Sequence, residues 1–142
     1  MPVLELKDVA KSFGEGTHRT DVLKTINLSV EEGEFLVLLG FSGTGKTTLI
    51  NLLAGLEFPT AGKVSFKGKP ITGPGRERGV IFQNYSLMPW LTVHGNVSLA
   101  VDTVFPGMSR AEKTAKVDHY VKMVGLSHAA KLRPAELSVR MR

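Results

Sequence analysis

Nine residues, Gly40-Phe41-Ser42-Gly43-Thr44-Gly45-Lys46-Thr47-Thr48, constrain this chain more than any other stretch. They fit the pattern G-x-x-x-x-G-K-[ST], with Gly40, Gly45, Lys46 and Thr47 at the fixed positions. Before them runs Phe35-Leu36-Val37-Leu38-Leu39, an unbroken apolar run that predicts a strand buried on both faces. After them, residues 48–54 are apolar at helical spacing and Gly55 is placed to cap the helix they predict. Strand, glycine-rich loop and helix in that order describe a phosphate-binding loop. Its glycines let backbone N–H groups curl around phosphate oxygens, and the helix N-terminus adds the positive end of its dipole. In such a loop Lys46 reaches the β- and γ-phosphates of a nucleotide, and the Thr47 hydroxyl ligates Mg²⁺.

With 142 residues the chain can bury one real core but not two ordinary ones. A hydrophobic content of 42% and a charged content of 22% are those of a soluble globular protein. There is no cysteine, which rules out disulfides and thiolate metal sites. The first ten residues show neither a basic nor an apolar leader region, so no signal peptide is expected. No apolar run approaches the ~20 residues of a membrane span, so work at a membrane requires a partner. The net charge of +5 is dispersed. Its one basic cluster, Lys63, Lys67, Lys69, Arg76 and Arg78, lacks the interleaved aromatics of a base-stacking groove and reads as a solvated face rather than a nucleic-acid site. His18, His94, His119 and His128 never stand four apart and read as incidental rather than metal-binding.

Upstream of the loop, the first thirty residues read as antiparallel strands. Leu4, Leu6 and Val9 lie in one, and Val22, Ile26, Leu28 and Val30 show period two in the next, which Leu23 breaks. A polar hairpin-like loop over 14–19 joins them. Phe13, at its start, reads from composition as a strand-end hydrophobe. Glu31-Glu32-Gly33-Glu34 reads as a solvated turn. Downstream, Lys63-Val64-Ser65-Phe66 predicts another alternating strand, 68–78 a connecting loop, and Gly79-Val80-Ile81-Phe82 a short apolar strand ending at Gln83. A glutamine there is either a loop residue or a polar group aimed at the ligand crevice of an open sheet. Helical patterning covers 92–105, with Val93, Val97, Ala100, Val101 and Val104 on one side. A second helix is bounded by a Ser109–Glu112 capping box and Gly125, and a short helical piece follows over 127–131.

With these pieces in order, the chain resembles the ATP-binding subunit of an ABC transporter over nearly its whole length. Residues 40–48 match that family's Walker A segment, and Gln83 matches its Q-loop glutamine. Residues 83–92, QNYSLMPWLT, are similar to the Q-loop of nitrate, sulfonate and taurine importers. Ala100-Val101-Asp102 and the stretch 133–138, RPAELS, look most like the nitrate/nitrite/cyanate branch. The resemblance implies that Phe13 stacks on adenine, that residues 40–48 hold the phosphates, and that Thr47 and Gln83 hold Mg²⁺, with Gln83 also positioning the attacking water. It implies ATP-driven import of a small anion by a motor peripheral to the cytoplasmic face of the membrane. The motor would be paired with a second ATP-binding subunit and docked on a membrane subunit through the Q-loop region, where Tyr85, Leu87, Met88, Pro89 and Trp90 expose apolar side chains.

Two departures qualify this. The family signature continues Leu-Ser-Gly-Gly, whereas Val139 and Arg140 follow Leu137-Ser138 here, before Met141-Arg142 rejoin the pattern. No apolar run ends in Asp-Glu, so the Walker B Asp, the catalytic Glu and the switch His have no counterparts among these residues. The expectation is therefore an α/β fold: an incomplete P-loop core with an antiparallel β subdomain over 1–86 and a helical subdomain over 87–142, the N-terminal portion of one ATP-binding domain. Such a portion is expected to bind ATP without turning it over. The alternatives are a non-catalytic nucleotide-binding fragment that docks on a membrane subunit, and a small P-loop kinase, against which the Q-loop tract and the missing acidic strand both speak.

Overall fold

Alternating apolar residues make β1, Leu4–Phe13, which pairs antiparallel with β2, Thr20–Val30, through a turn holding a 3-10 helix at Gly16–His18. On its other side β1 pairs antiparallel with β3, Ala61–Phe66, which in turn pairs with the two-residue β4, Lys69–Pro70. The sheet order is β2-β1-β3-β4. Between β2 and β3 the chain makes one helix, α1, Lys46–Ala54. The computed structural model describes residues 1–84 and 86–138. Tyr85, Val139, Arg140, Met141 and Arg142, all singled out by sequence, lie outside the described residues. The chain divides into two compact units, Met1–Val80 and Ile81–Arg142.

The sheet is not regular, and its irregularities explain the broken period. Leu6 pairs with Leu28 but Val9 with Ile26, so β1 carries one extra residue in between. That bulge holds Asp8 at φ +50° and lets Leu6 and Val9, three apart, both turn inward. Farther along, Val9 pairs with Ile26 and Lys11 with Leu23, which puts the extra residue on β2, where Thr25 has φ +49°. This second bulge reverses the parity of β2 and buries Leu23. Leu6, Val9, Leu23 and Val64 then meet Leu49 and Leu52 of α1 in one core, against which Val22, Ile26, Leu28 and Leu38 pack.

Two predicted strands are absent. The run 35–39 forms no strand, and Phe35 and Leu39 are each 90% exposed. The run 79–82 forms none either, with Ile81 fully exposed and Phe82 half so. A strand exists through its ladder, and among the described residues neither run has a neighbouring strand to pair with, so apolarity alone makes no strand of either. The segment 68–78, read as a loop, contains β4.

The second unit is helical. Its α2, Val93–Val104, is capped by Thr92, whose Oγ1 accepts from Gly95 N–H at 3.0 Å. α3, Arg110–Met123, starts at the expected capping box: Ser109 N–H donates to the Glu112 carboxylate at 2.8 Å, while Glu112 N–H donates back to the Ser109 hydroxyl at 3.4 Å. Gly125, at φ +73°, closes it. Val93, Val101, Val117, Val121, Ala129 and Leu137 form the core, with Val97 and Phe105 packed on it. The inward stripe is thus Val93, Val97 and Val101 of α2, continued by its C-cap Phe105. Ala100 and Val104, predicted on that side, are exposed. One partner helix covers a four-residue repeat, and a position one residue off is turned about 100° away. Two 3-10 turns, Ser127–Ala129 and Pro134–Glu136, complete the unit.

Candidate functional site

Residues 40–48 form a tight loop that runs directly into α1. Gly43 and Gly45 both take left-handed backbone conformations, at φ +81° and +87°. Gly45 is the N-cap of α1 and brings no side chain to cap it; the first backbone bond of the helix is Leu49 N–H to Gly45 O at 2.9 Å. The amides of the opening turn therefore have no capping side chain and present the donor end of the helix, which is how such loops receive anions. Gly45 is also wedged against β2. A Cβ there would stand 2.9 Å from Leu23 Cδ2 and 3.2 Å from the Val22 carbonyl. Position 45 admits no other residue without displacement.

Lys46 folds back over the loop. Its ammonium donates to the carbonyls of Gly40 at 2.7 Å and Phe41 at 2.6 Å, and reaches Thr44 Oγ1 at 3.4 Å. Thr44 Oγ1 in turn donates to Phe41 O at 2.9 Å. The cation is thus held at the mouth of the loop on contacts that it can exchange for phosphate oxygens. Thr47 is exposed in the first helical turn, while Thr48 is half-buried. Phe41, at 89% exposed, and Ser42 are both open to solvent.

Phe13 ends β1 opposite Thr20 of β2 and is 41% exposed. The Lys11 ammonium lies 4.7 Å from its ring centroid. Gly45 packs on Val22, two residues along β2 from Thr20, a separation of about 7 Å on a strand. The aromatic ring on β1 and the glycine wedge against β2 thus lie at the same end of one strand pair.

Gln83 lies in the second unit, exposed, in a bend after the unpaired run 79–82. The stretch that follows it is shaped by a residue that sequence reasoning passed over. Asn96 accepts from Met88 N–H at 2.8 Å and donates to the carbonyls of Met88, Leu91 and Thr92 at 3.2, 3.3 and 3.0 Å. An asparagine one turn inside a helix is a poor helix former, which is the signal that could have found it. Around that clamp Leu87 and Met88 are half-buried, while Pro89 and Trp90 are exposed, Trp90 at 67%. Among the described residues no group of three or more His, Cys, Asp or Glu side chains could hold a metal, and no helix is long and apolar enough to cross a membrane.

The chain is 49% identical to the bicarbonate transport ATP-binding protein CmpC of Synechococcus elongatus over 138 residues, 96% of this chain and 21% of CmpC. It is 46% identical to the nitrate import ATP-binding protein NrtC of Synechocystis, covering all of this chain and 21% of NrtC. It therefore spans about a fifth of these two relatives. Among solved structures, the dimeric ATP-binding cassette MJ0796 bound to ADP and Pi superposes with a TM-score of 0.83 at 32% identity, over 95% of this chain and 63% of that one. That likeness makes the fold an ABC ATPase fold: a P-loop core with an antiparallel sheet and helices. The ABC transporter family model matches residues 23–142, and the chain belongs to that family.

Proposed function

We propose that this chain binds ATP with Mg²⁺ at residues 40–48 and is part of the ATP-binding subunit that powers import of a small oxyanion. The carrying observation is the loop itself. A glycine whose left-handed φ and close neighbours strain any replacement sets the start of α1, and a lysine is stationed on carbonyls of the loop. In this reading the amides of 43–48 and the Lys46 ammonium bind the β- and γ-phosphates, and the exposed face of Phe13 takes the adenine. The Thr47 hydroxyl and the Gln83 side chain would hold Mg²⁺, with Gln83 orienting the attacking water. Mg²⁺, when bound, neutralises charge on the phosphate oxygens.

The names of the relatives support the substrate class. Bicarbonate and nitrate, in the names of CmpC and NrtC, are both small, planar, singly charged oxyanions. The subunit would sit peripherally on the cytoplasmic side, paired with a second ATP-binding subunit, as MJ0796 is dimeric. Its contact with a membrane subunit would be the stretch 83–92, where Trp90 stands out from the surface.

Replacing Lys46 with Ala tests the site. Loss of charge-assisted bonds to phosphate should weaken ATP–Mg²⁺ binding at least about tenfold in titration calorimetry. Equal affinity in the two proteins would refute it. Uptake of labelled nitrate and bicarbonate by vesicles holding the assembled transporter tests the substrate class; transport of neither anion would remove it.

A further inference from the structure

One side of the Phe13 ring is already taken. The Lys11 ammonium stands over it at 4.7 Å, and Lys11 is no passing surface lysine: its side chain is only 13% exposed. Its ammonium pairs with the Glu57 carboxylate at 2.9 Å and donates to the Phe58 carbonyl at 2.9 Å. Both anchors lie just beyond the end of α1, the helix into which the phosphate loop runs. The same stretch is fastened to β1 a second time. Thr60 N–H donates to Ala10 O at 2.8 Å, and Ser12 N–H donates to Thr60 Oγ1 at 3.0 Å. Lys11 and Phe13 are two apart on one strand, so they share a face, and the ammonium's position is set by groups outside that strand.

We infer that Lys11 is a positioning residue for the nucleotide base: held by Glu57 and Phe58, its ammonium fixes one face of the Phe13 ring and leaves the opposite face for a purine. This rests on the reading of Phe13 as the base platform. A cation on the far face draws π density from the ring, and an electron-poorer ring stacks better on an electron-rich purine. The arrangement also ties the platform to the exit of α1. The segment that leaves α1 therefore holds the cation set against the ring.

The test compares two ligands on the 142-residue chain by titration calorimetry: ATP–Mg²⁺ and inorganic tripolyphosphate–Mg²⁺, which has no base. Their affinity ratio isolates what the base contributes. Lys11→Met should weaken ATP about fivefold and leave tripolyphosphate unchanged. Lys11→Arg, which keeps a cation over the ring, should keep the wild-type ratio. Equal weakening of both ligands by Lys11→Met, or of neither, overturns the inference and leaves Lys11 a plain fastener. Glu57→Gln provides a second reading should the methionine variant misfold, since it keeps the ammonium but removes its carboxylate anchor. A smaller loss of the ratio supports the inference, and an unchanged ratio counts against it. Phe13→Ala separates the two levels. If it leaves the ratio unchanged, the stacking reading itself fails; if it lowers the ratio while Lys11→Met does not, only the role of Lys11 fails.

Discussion

Gly45 and Leu23 touch so closely that a methyl group on the glycine would stand 2.9 Å from the leucine's Cδ2. The phosphate loop is thereby seated on the sheet by the absence of a side chain. Gly45→Ala combines that overlap with a left-handed φ of +87°. We expect it to cost at least about 2 kcal/mol of stability and to abolish ATP binding, measured by denaturant melts and calorimetry. An alanine variant with wild-type stability would show that β2 yields freely at Leu23.

The Asp8 bulge should depend on Asn27. Asp8 N–H donates to Asn27 Oδ1 at 2.9 Å, and Asn27 Nδ2 donates to the Asp8 carboxylate at 3.1 Å. Asn27→Ala removes both bonds at an exposed site, and we expect a loss of about 1 kcal/mol in urea unfolding. No change would mean that β3 alone holds the bulge.

Acid should loosen the start of α3. The Ser109 hydroxyl, and then its backbone N–H, hold the Glu112 carboxyl below the ordinary glutamate range. Because the folded value is the lower one, the stabilisation is complete above the unfolded value of about 4.3 and fades as pH falls through the folded one. Stability of the wild type and Glu112→Gln, followed from pH 7 to 3, should therefore converge in the acid range. A difference constant with pH would remove the carboxylate from the account.

Two valines measure the width of the helical core. Val117 is 1% exposed, whereas Val104 is 45% exposed. Val117→Ala should cost about 2 kcal/mol, from two lost methylene equivalents and the cavity left behind. Val104→Ala should stay within about 0.5 kcal/mol. Similar losses at the two sites, measured by thermal unfolding, would restore Val104 to the buried stripe.

What could be read from sequence was what neighbours in sequence decide. Gly45 and Gly55 at the ends of α1, and Ser109 with Glu112 at the start of α3, are signals whose partners lie within a few residues. The order of loop, sheet and helices followed from them. What escaped depends on partners far along the chain. Phe35 to Leu39 has strand composition, but composition does not supply the neighbouring strand. Leu23 seemed to violate its period because the extra residue at Thr25 is visible only once β2 is laid against β1. Lys11 carries no pattern in sequence, since its partners Glu57 and Phe58 lie more than forty residues away in a loop.

The Asp8 bulge has a consequence for how the sheet assembles. It interrupts the ladder to β2 between Leu6 and Val9 and the ladder to β3 between Lys7 and Ala10. On the β3 side Gly62 passes so near that a Cβ would collide with the carbonyls of Lys7 and Asp8. Both neighbours are thus keyed to one landmark on β1, and a strand docked one residue out of phase meets a misplaced bulge on each flank. Slipped pairings, which in a plain strand merely exchange faces, are rejected here from two sides during folding. Phe13 lies five residues beyond that landmark. A single slip would carry its ring about 3.4 Å along the strand, so the place of that ring beside β2 is measured out from Asp8.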